Sequence, residues 1–244
     1  MRLAVISDVH ADLEALRAAL AQIERLRCDL VVCTGDLVGY GLLPEQTIAL
    51  LRERKTVCVR GNHDRRAIGR GRPEALFEAG GAEPHDASGL GLSRAALAFL
   101  AGLPTGWHAV IEGVRVAVYH GAPRSDMEYI HPDHTPDSSL RRYLDQADAD
   151  ILICGHTHIP FVISLSGNRV VANPGTLMGT SLGAAVLINP VTVIGGNAGA
   201  VVADNPGVAT SGGTFGILEL PQRQFTVYAV ADGRPVEAIR RFCL

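Results

Sequence analysis

The chain reads as an α/β fold, with a mixed, largely parallel core that continues into a second, more antiparallel sheet. Three features lead there. Through the first third, short apolar runs alternate with amphipathic helical segments, the rhythm of βαβ units. Beyond Pro160 the pattern turns to strands separated by turn-forming residues. Finally, 47% of the 244 residues are apolar against 19% charged, and the mean hydropathy is +0.18. Such a chain buries a sizeable core, which excludes disorder as its main state.

The run from Arg2 to Ser7 is a first buried strand ending at Asp8. Leu13, Leu16, Leu20 and Ile23 then recur at helical spacing behind Asp12, a good N-cap. Asp29–Thr34 is a second strand ending at Gly35–Asp36, and Pro44 opens a second helix carrying Ile48, Leu50 and Leu51. Thr56–Arg60 is a third strand, closed by Gly61-Asn62-His63-Asp64. Residues 66–91, rich in Gly, Arg and Glu, read as loop with one helix around Pro73–Ala79. Ser93–Ala101 is helical, and Trp107–His120 is a hairpin turning at Glu112–Gly113. After a polar loop over Gly121–Pro136 comes a helix from Asp137 to about Ala147. The strand Asp150–Cys154 then ends at Gly155-His156-Thr157-His158. Strands are expected over Phe161–Leu165, Arg169–Pro174, Thr214–Leu220, Gln224–Val230 and Val236–Phe242. Without internal repeats or a Pro- or Ser-rich linker, residues 1–244 are read as one domain.

Several function classes are disfavoured by composition. Lys and Arg number 22 against 25 Asp and Glu, a net charge of −3, so no global basic field recruits nucleic acid or anionic lipid. The five scattered cysteines contain no CxxC and support neither a disulfide framework nor a zinc ribbon. Too little precedes Asp8 to form a signal peptide, so a cytoplasmic location is expected. Val170–Ala203 carries no charge, yet Asn, Pro and Gly interrupt it every few residues, against a membrane helix.

Chemistry concentrates at strand ends. Asp8-Val9-His10, Gly35-Asp36, Gly61-Asn62-His63-Asp64, Tyr119-His120-Gly121 and Gly155-His156-Thr157-His158 each follow an expected strand. In parallel sheets those ends share one edge, where connecting loops build the ligand site. Singly the motifs weigh little, and each residue reads as well as a hydrogen-bonded turn. Gly-Asn-His-Asp and Gly-His-Thr-His would each arise by chance in about one chain in a thousand. Carboxylate, amide and imidazole donors with no thiolate suit manganese, iron or zinc. Seven donors exceed one tetrahedral zinc and fit two ions that share a carboxylate.

This ordered set resembles the calcineurin-like metallophosphoesterases, and Gly35-Asp36-Leu37-Val38-Gly39-Tyr40-Gly41 with Asn173-Pro174-Gly175-Thr176 resembles their small prokaryotic phosphodiesterase branch. The resemblance runs from Arg2 to Thr176 and resumes at the last strands. It implies a two-sheet sandwich with flanking helices. It also implies one metal site of Asp8, His10, Asp36 and His158 and another of Asp36, Asn62, His120 and His156, bridged by Asp36. Two divalent ions follow, Mn²⁺ or Fe foremost and Zn²⁺ next, with His63 facing the phosphate as a catalytic group. The implied reaction is attack of a metal-bridging hydroxide on a small phosphate ester or nucleotide. A phosphomonoesterase, a dinucleoside polyphosphate hydrolase and a non-catalytic interaction module on the same fold stand as alternatives.

Two departures matter. Gly39 stands where Ser/Thr protein phosphatases place a histidine-orienting Asp, which argues against a protein phosphatase and leaves Asp64 as a candidate for that task. Residues 183–210 are a Gly- and Val-rich insertion with a single charged residue, Asp204, read as an apolar hairpin pairing two copies or flanking the cleft, or else as a flexible loop. Around the centre, Arg124, Tyr40 and Glu128 are candidate substrate contacts. His131 and His134 are either solvated or line the site, and Arg65, Arg66, Arg70 and Arg72 either steer anions or form a solvated face.

Overall fold

A computed structural model of the chain describes residues 1–70, 91–178, 200–202, 213–230 and 238–243. The expected helix around Pro73–Ala79 lies outside these residues. So does all of the 183–210 insertion except a short strand at Ala200–Val202. Among the described residues no helix is long and apolar enough to cross a membrane.

Two six-stranded mixed sheets stack face to face. The first half of the chain lays down β1 (Arg2–Ile6), α1 (Leu13–Arg25), β2 (Leu30–Cys33), α2 (Pro44–Glu53), β3 (Val57–Cys58) and α3 (Asn62–Arg70). Next come α4 (Arg94–Gly102), β4 (Gly106–Ile111), β5 (Val114–Tyr119), α5 (Asp137–Gln146) and β6 (Ile151–Ile153). The remaining strands are β7 (Phe161–Leu165), β8 (Arg169–Asn173), β9 (Ala200–Val202), β10 (Thr214–Glu219), β11 (Gln224–Ala229) and β12 (Ala238–Cys243). One sheet runs β12-β11-β10-β1-β2-β3 and the other β4-β5-β6-β8-β7-β9. Each holds three parallel strands, β1-β2-β3 and β5-β6-β8, extended by antiparallel neighbours.

The local signals take effect where they stand. Asp12 Oδ1 accepts from the Ala15 amide at 3.0 Å and caps α1, Ser93 Oγ caps α4 from the Ala96 amide at 3.1 Å, and Pro44 opens α2. Glu112 and Gly113, both with positive φ (50° and 79°), close the β4–β5 hairpin. Strand alternation sorts side chains into layers. Leu3, Val5, Ile151 and Ile153 point between the sheets with Val32, Val118, Val170 and Phe225. Ala4 and Ile6 point outward, onto Leu16, Leu20 and Ile48 of α1 and α2 and Leu100 of α4. On the far side, Leu152 and Val171 pack on Leu140 and Leu144 of α5. Each of these buried Leu, Ile and Val side chains contributes roughly 1.5–3 kcal/mol.

The two mixed sheets and flanking helices match the expected fold; within it, β10 returns across the molecule to pair with β1 (Ile217 opposite Ala4) and carries β11 and β12 into the first sheet. The structure corrects one expectation: residues 66–70, read as the start of a loop, belong to a helix. Asn62–Arg70 is helical, with Ala67 buried against the first-sheet core and Ile68 packed on it.

Candidate metal centre

The carboxyl ends of β1, β2, β3, β5 and β6 meet at the junction of the two sheets, where every proposed donor sits. Backbone bonds brace the strand ends there, one within the second sheet and one across to the first. The Gly155 amide donates to the His120 carbonyl at 2.7 Å, and the Leu177 amide to the Ser7 carbonyl at 2.9 Å. Asn173 Nδ2 donates to the Gly155 carbonyl at 2.9 Å, while Asn173 Oδ1 accepts from the Gly175 amide at 2.8 Å. The Asn-Pro-Gly-Thr turn therefore braces the Gly-His-Thr-His loop. Thr176 Oγ1 adds a bond to the Asp8 carbonyl at 2.9 Å.

Donor atoms fall into two sets. His10 Nε2 lies 3.1 Å from His158 Nε2, 3.8 Å from Asp8 Oδ1 and 3.9 Å from Asp36 Oδ2, and His158 Nε2 lies 3.2 Å from Asp8 Oδ1. In the second set His120 Nε2 lies 3.3 Å from Asp36 Oδ2, 2.9 Å from Asn62 Oδ1 and 3.2 Å from His156 Nδ1. Asp36 Oδ2 belongs to both. An ion with donors at about 2.1 Å spaces neighbouring donors about 3.0–3.4 Å apart, in octahedral or tetrahedral geometry. The observed spacings bracket that range, so both sets fit a divalent cation.

Outer contacts leave the proposed donor atoms free for such an ion. Asp8 Oδ2 accepts from Ser7 Oγ and from the His156 amide at 3.1 Å, while Asp8 Oδ1 is buried with no hydrogen-bond partner among the described residues. Asp36 Oδ1 accepts from the His63 amide at 2.8 Å, sparing Oδ2. His120 Nδ1 lies 3.1 Å from the Thr34 carbonyl, an acceptor only, so Nδ1 keeps its proton and Nε2 is the nitrogen that turns to an ion. Five of these residues take left-handed backbone angles: Asp8 (φ 50°), His10 (49°), Asp36 (52°), His156 (67°) and His158 (60°). Each such conformation costs on the order of 1 kcal/mol away from glycine, strain of the kind that concentrates at functional sites.

Electrostatics follow from burying two carboxylates among four imidazoles. Burial holds His10 at about 4 despite Asp36 and Asp8, and burial with the neighbouring His120 holds His156 at about 4. For His120 burial pulls the same way, but the charge and hydrogen bond of Asp36 prevail and raise it to about 9. His158 is likewise raised against burial, by Asp8. Asp8 and Asp36 both stay below the ordinary carboxylate range despite burial, Asp8 through His158 and Asp36 through His120.

His63 is buried beside the donors, its ring centroid 4.9 Å from that of His10 and 4.9 Å from that of Tyr40. Gly39 makes room, since a Cβ there would lie 2.6 Å from His10 Nδ1 and 3.2 Å from His63 Nδ1, at a φ of +147°. The Asp of protein phosphatases has no space at that position. Asp64 does not take over its task, because its carboxylate accepts the amides of Leu37 (2.9 Å), Val38 (3.2 Å) and Gly61 (2.9 Å). Burial, with Asp36 nearby, raises Asp64 to about 7.

The flanking candidates divide. Tyr40 packs its ring 4.7 Å from His10. Arg124 lines a cavity shared with His120. Glu128 accepts from Tyr143 Oη at 2.5 Å, while its neighbour Tyr129 sets a ring 4.0 Å from His156. His131 and His134 stack on each other at 4.6 Å in their own loop. Ser7 and Thr34 support the centre without having been singled out in the sequence. Ser7 adjoins a motif residue, but Thr34 acts through its backbone carbonyl, which no residue type signals.

A family model for the calcineurin-like phosphoesterase superfamily domain matches residues 1–188. An uncharacterized protein of Methanocaldococcus jannaschii, MJ0912, is 36% identical over 173 residues, spanning 69% of this chain and 67% of its own. A probable metallophosphoesterase of Methanothermobacter thermautotrophicus is 30% identical over 182 residues, spanning 72% of this chain and 77% of its own. The crystal structure of a metallophosphoesterase from Sphaerobacter thermophilus superposes with a TM-score of 0.64 at 25% identity, covering 95% of this chain and 88% of that one. With the strand-end motifs, the double sheet and the family match in agreement, the chain belongs to the calcineurin-like phosphoesterase superfamily.

Proposed function

We propose that this protein is a two-metal phosphodiesterase of the small prokaryotic branch, hydrolysing small phosphate esters or nucleotides. The single observation that carries the reading is the sharing of Asp36 Oδ2 by two donor sets, with His120 Nε2 at 3.3 Å and His10 Nε2 at 3.9 Å. Asp8, His10, Asp36 and His158 would hold one ion and Asp36, Asn62, His120 and His156 the other. Manganese or iron suits this nitrogen and oxygen set best, with zinc next. When bound, such a pair supplies Lewis acidity toward phosphoryl oxygens and a water acidified to near neutrality.

The protein's own part is positioning and proton transfer. Asp36 ties the two sets together, and the His63 amide on its Oδ1 fixes which oxygen turns inward. His63 sits where it can protonate a leaving oxygen. Tyr40 and Tyr129 pack on His10 and His156, one beside each donor set. The test is hydrolysis of bis(p-nitrophenyl) phosphate and p-nitrophenyl phosphate by Mn²⁺-loaded protein. Preference for the diester supports the proposal, preference for the monoester shifts it to a phosphomonoesterase, and turnover of neither leaves the interaction module.

A further inference from the structure

His120 has neighbours besides the metal donors. His120 also lines a cavity of about 300 Å³ whose other walls include Arg60, Arg65, Thr105, Arg124 and Asp126. Three separate pieces of chain bring the arginines there. Arg60 follows β3, its amide donating to the Pro104 carbonyl at 2.7 Å and tying it to the approach of β4. Beyond β5, Ala122 and Ser125 exchange backbone hydrogen bonds of 2.8 and 3.1 Å, which leaves Pro123 and Arg124 at the tip of a two-residue turn. Arg65, in the first turn of α3, forks onto Asp126 with Nε at 2.6 Å and Nη2 at 3.1 Å.

Charge around this cavity does not balance. Asp126 is already matched by Arg65, and among the described residues neither Arg60 nor Arg124 meets a carboxylate. Of the three arginines lining the cavity, two thus have no carboxylate partner among the described residues, in a chain whose net charge is −3. Guanidinium presents paired N–H donors that match phosphate oxygens, and two unmatched positive charges suit one doubly charged phosphate monoester. Arg65 still has N–H groups beyond those engaged by Asp126 to line the pocket. Because His120 is the shared wall, an anion held here lies beside a phosphate at the metal centre.

We propose that this cavity is a second phosphate subsite, and that the ester cleaved by this protein carries a further phosphate gripped by Arg60 and Arg124. The inference rests on the phosphoesterase reading and narrows its substrate class.

The test compares the p-nitrophenyl ester of thymidine 5′-phosphate with the same ester bearing a 3′-phosphate, on the Mn²⁺-loaded protein. Wild type should favour the second by about tenfold or more in kcat/KM, and high salt should shrink that ratio. Arg124→Ala and Arg60→Gln should bring it toward unity, with Arg60→Lys keeping part of it. A ratio near unity in wild type, or one unchanged in both variants, overturns the proposal. Calorimetric binding of thymidine 5′-phosphate and thymidine 3′,5′-bisphosphate to the same protein separates the two readings, since it needs no turnover. Bisphosphate preference without hydrolysis of either ester keeps the subsite and sinks the phosphoesterase reading. Hydrolysis of both esters without preference does the reverse.

Discussion

Asp36 and His120, on different sheets, meet with Oδ2 and Nε2 at 3.3 Å, although 84 residues separate them in the sequence. The same carboxylate oxygen stands 3.9 Å from His10 Nε2 on its other side. Two imidazoles thus converge on one oxygen from opposite donor sets. An isolated ion pair would need only one of them, whereas a bridging ligand needs both.

Asp36→Asn should therefore disable both cation sites, since a neutral amide oxygen lacks the negative charge that holds two cations on one atom. Expected are loss of both ions by elemental analysis and a fall of at least about a hundredfold in ester hydrolysis. The wild type should also melt lower once chelated, as ions that bind the folded chain stabilise it. Two ions retained by the variant would remove the bridging role.

Metal loading should release protons. In the metal-free protein His120, at about 9, holds a proton at pH 7, whereas His10 and His156, at about 4, do not; His158 is also raised, by Asp8. A cation takes the lone pair that the proton occupies, so affinity should climb as pH rises through 7 toward 9. The same shift sets metal-free stability. A His raised from 6.5 to about 9 on folding contributes stability that is complete below 6.5 and is lost as pH passes 9. Calorimetry at pH 7 in buffers of differing ionisation enthalpy counts the protons, and a count of zero would refute this charge assignment.

Much of this was legible because it is local. Asp12 capping α1, Pro44 opening α2 and the Glu112–Gly113 turn each act within a few residues. The donors are legible for a related reason, as each closes a strand and parallel strands share an edge. Sheet membership of the C-terminal strands is not local: β10 pairs with β1 across most of the chain, and periodicity carries no record of a partner. Helix α3 hides because Gly-Asn-His-Asp reads as a turn, while what holds it is Ala67 and Ile68 packing on the first-sheet core. The arginine cavity hides for the same reason as the sheet partner. Arg60, Arg65 and Arg124 converge only after the topology is known.

Asp64→Asn should loosen the loop that carries Asp36. The carboxylate accepts the amides of Leu37, Val38 and Gly61, whereas an amide side chain turns one acceptor into a donor facing a backbone N–H. A buried mismatch of this kind costs about 1–3 kcal/mol. The variant should unfold at lower denaturant with an unchanged m-value and bind metal about 10–100-fold more weakly. Wild-type stability together with wild-type metal affinity would show the clamp to be dispensable.

His63→Ala probes proton transfer apart from metal binding. His63 is buried beside His10 and Tyr40, and its backbone amide, not its ring, holds Asp36, so the variant should retain both ions. General-acid assistance is worth about 10²–10⁴-fold, and it matters most when the leaving oxygen is basic. The variant should accordingly lose little on a p-nitrophenyl ester, whose leaving group departs as a stable anion, and about a hundredfold or more on an alkyl ester. The steepened dependence of rate on leaving-group pKa is the signature to measure. Equal losses on both esters, with metal content intact, would instead make His63 a positioning residue for the phosphate.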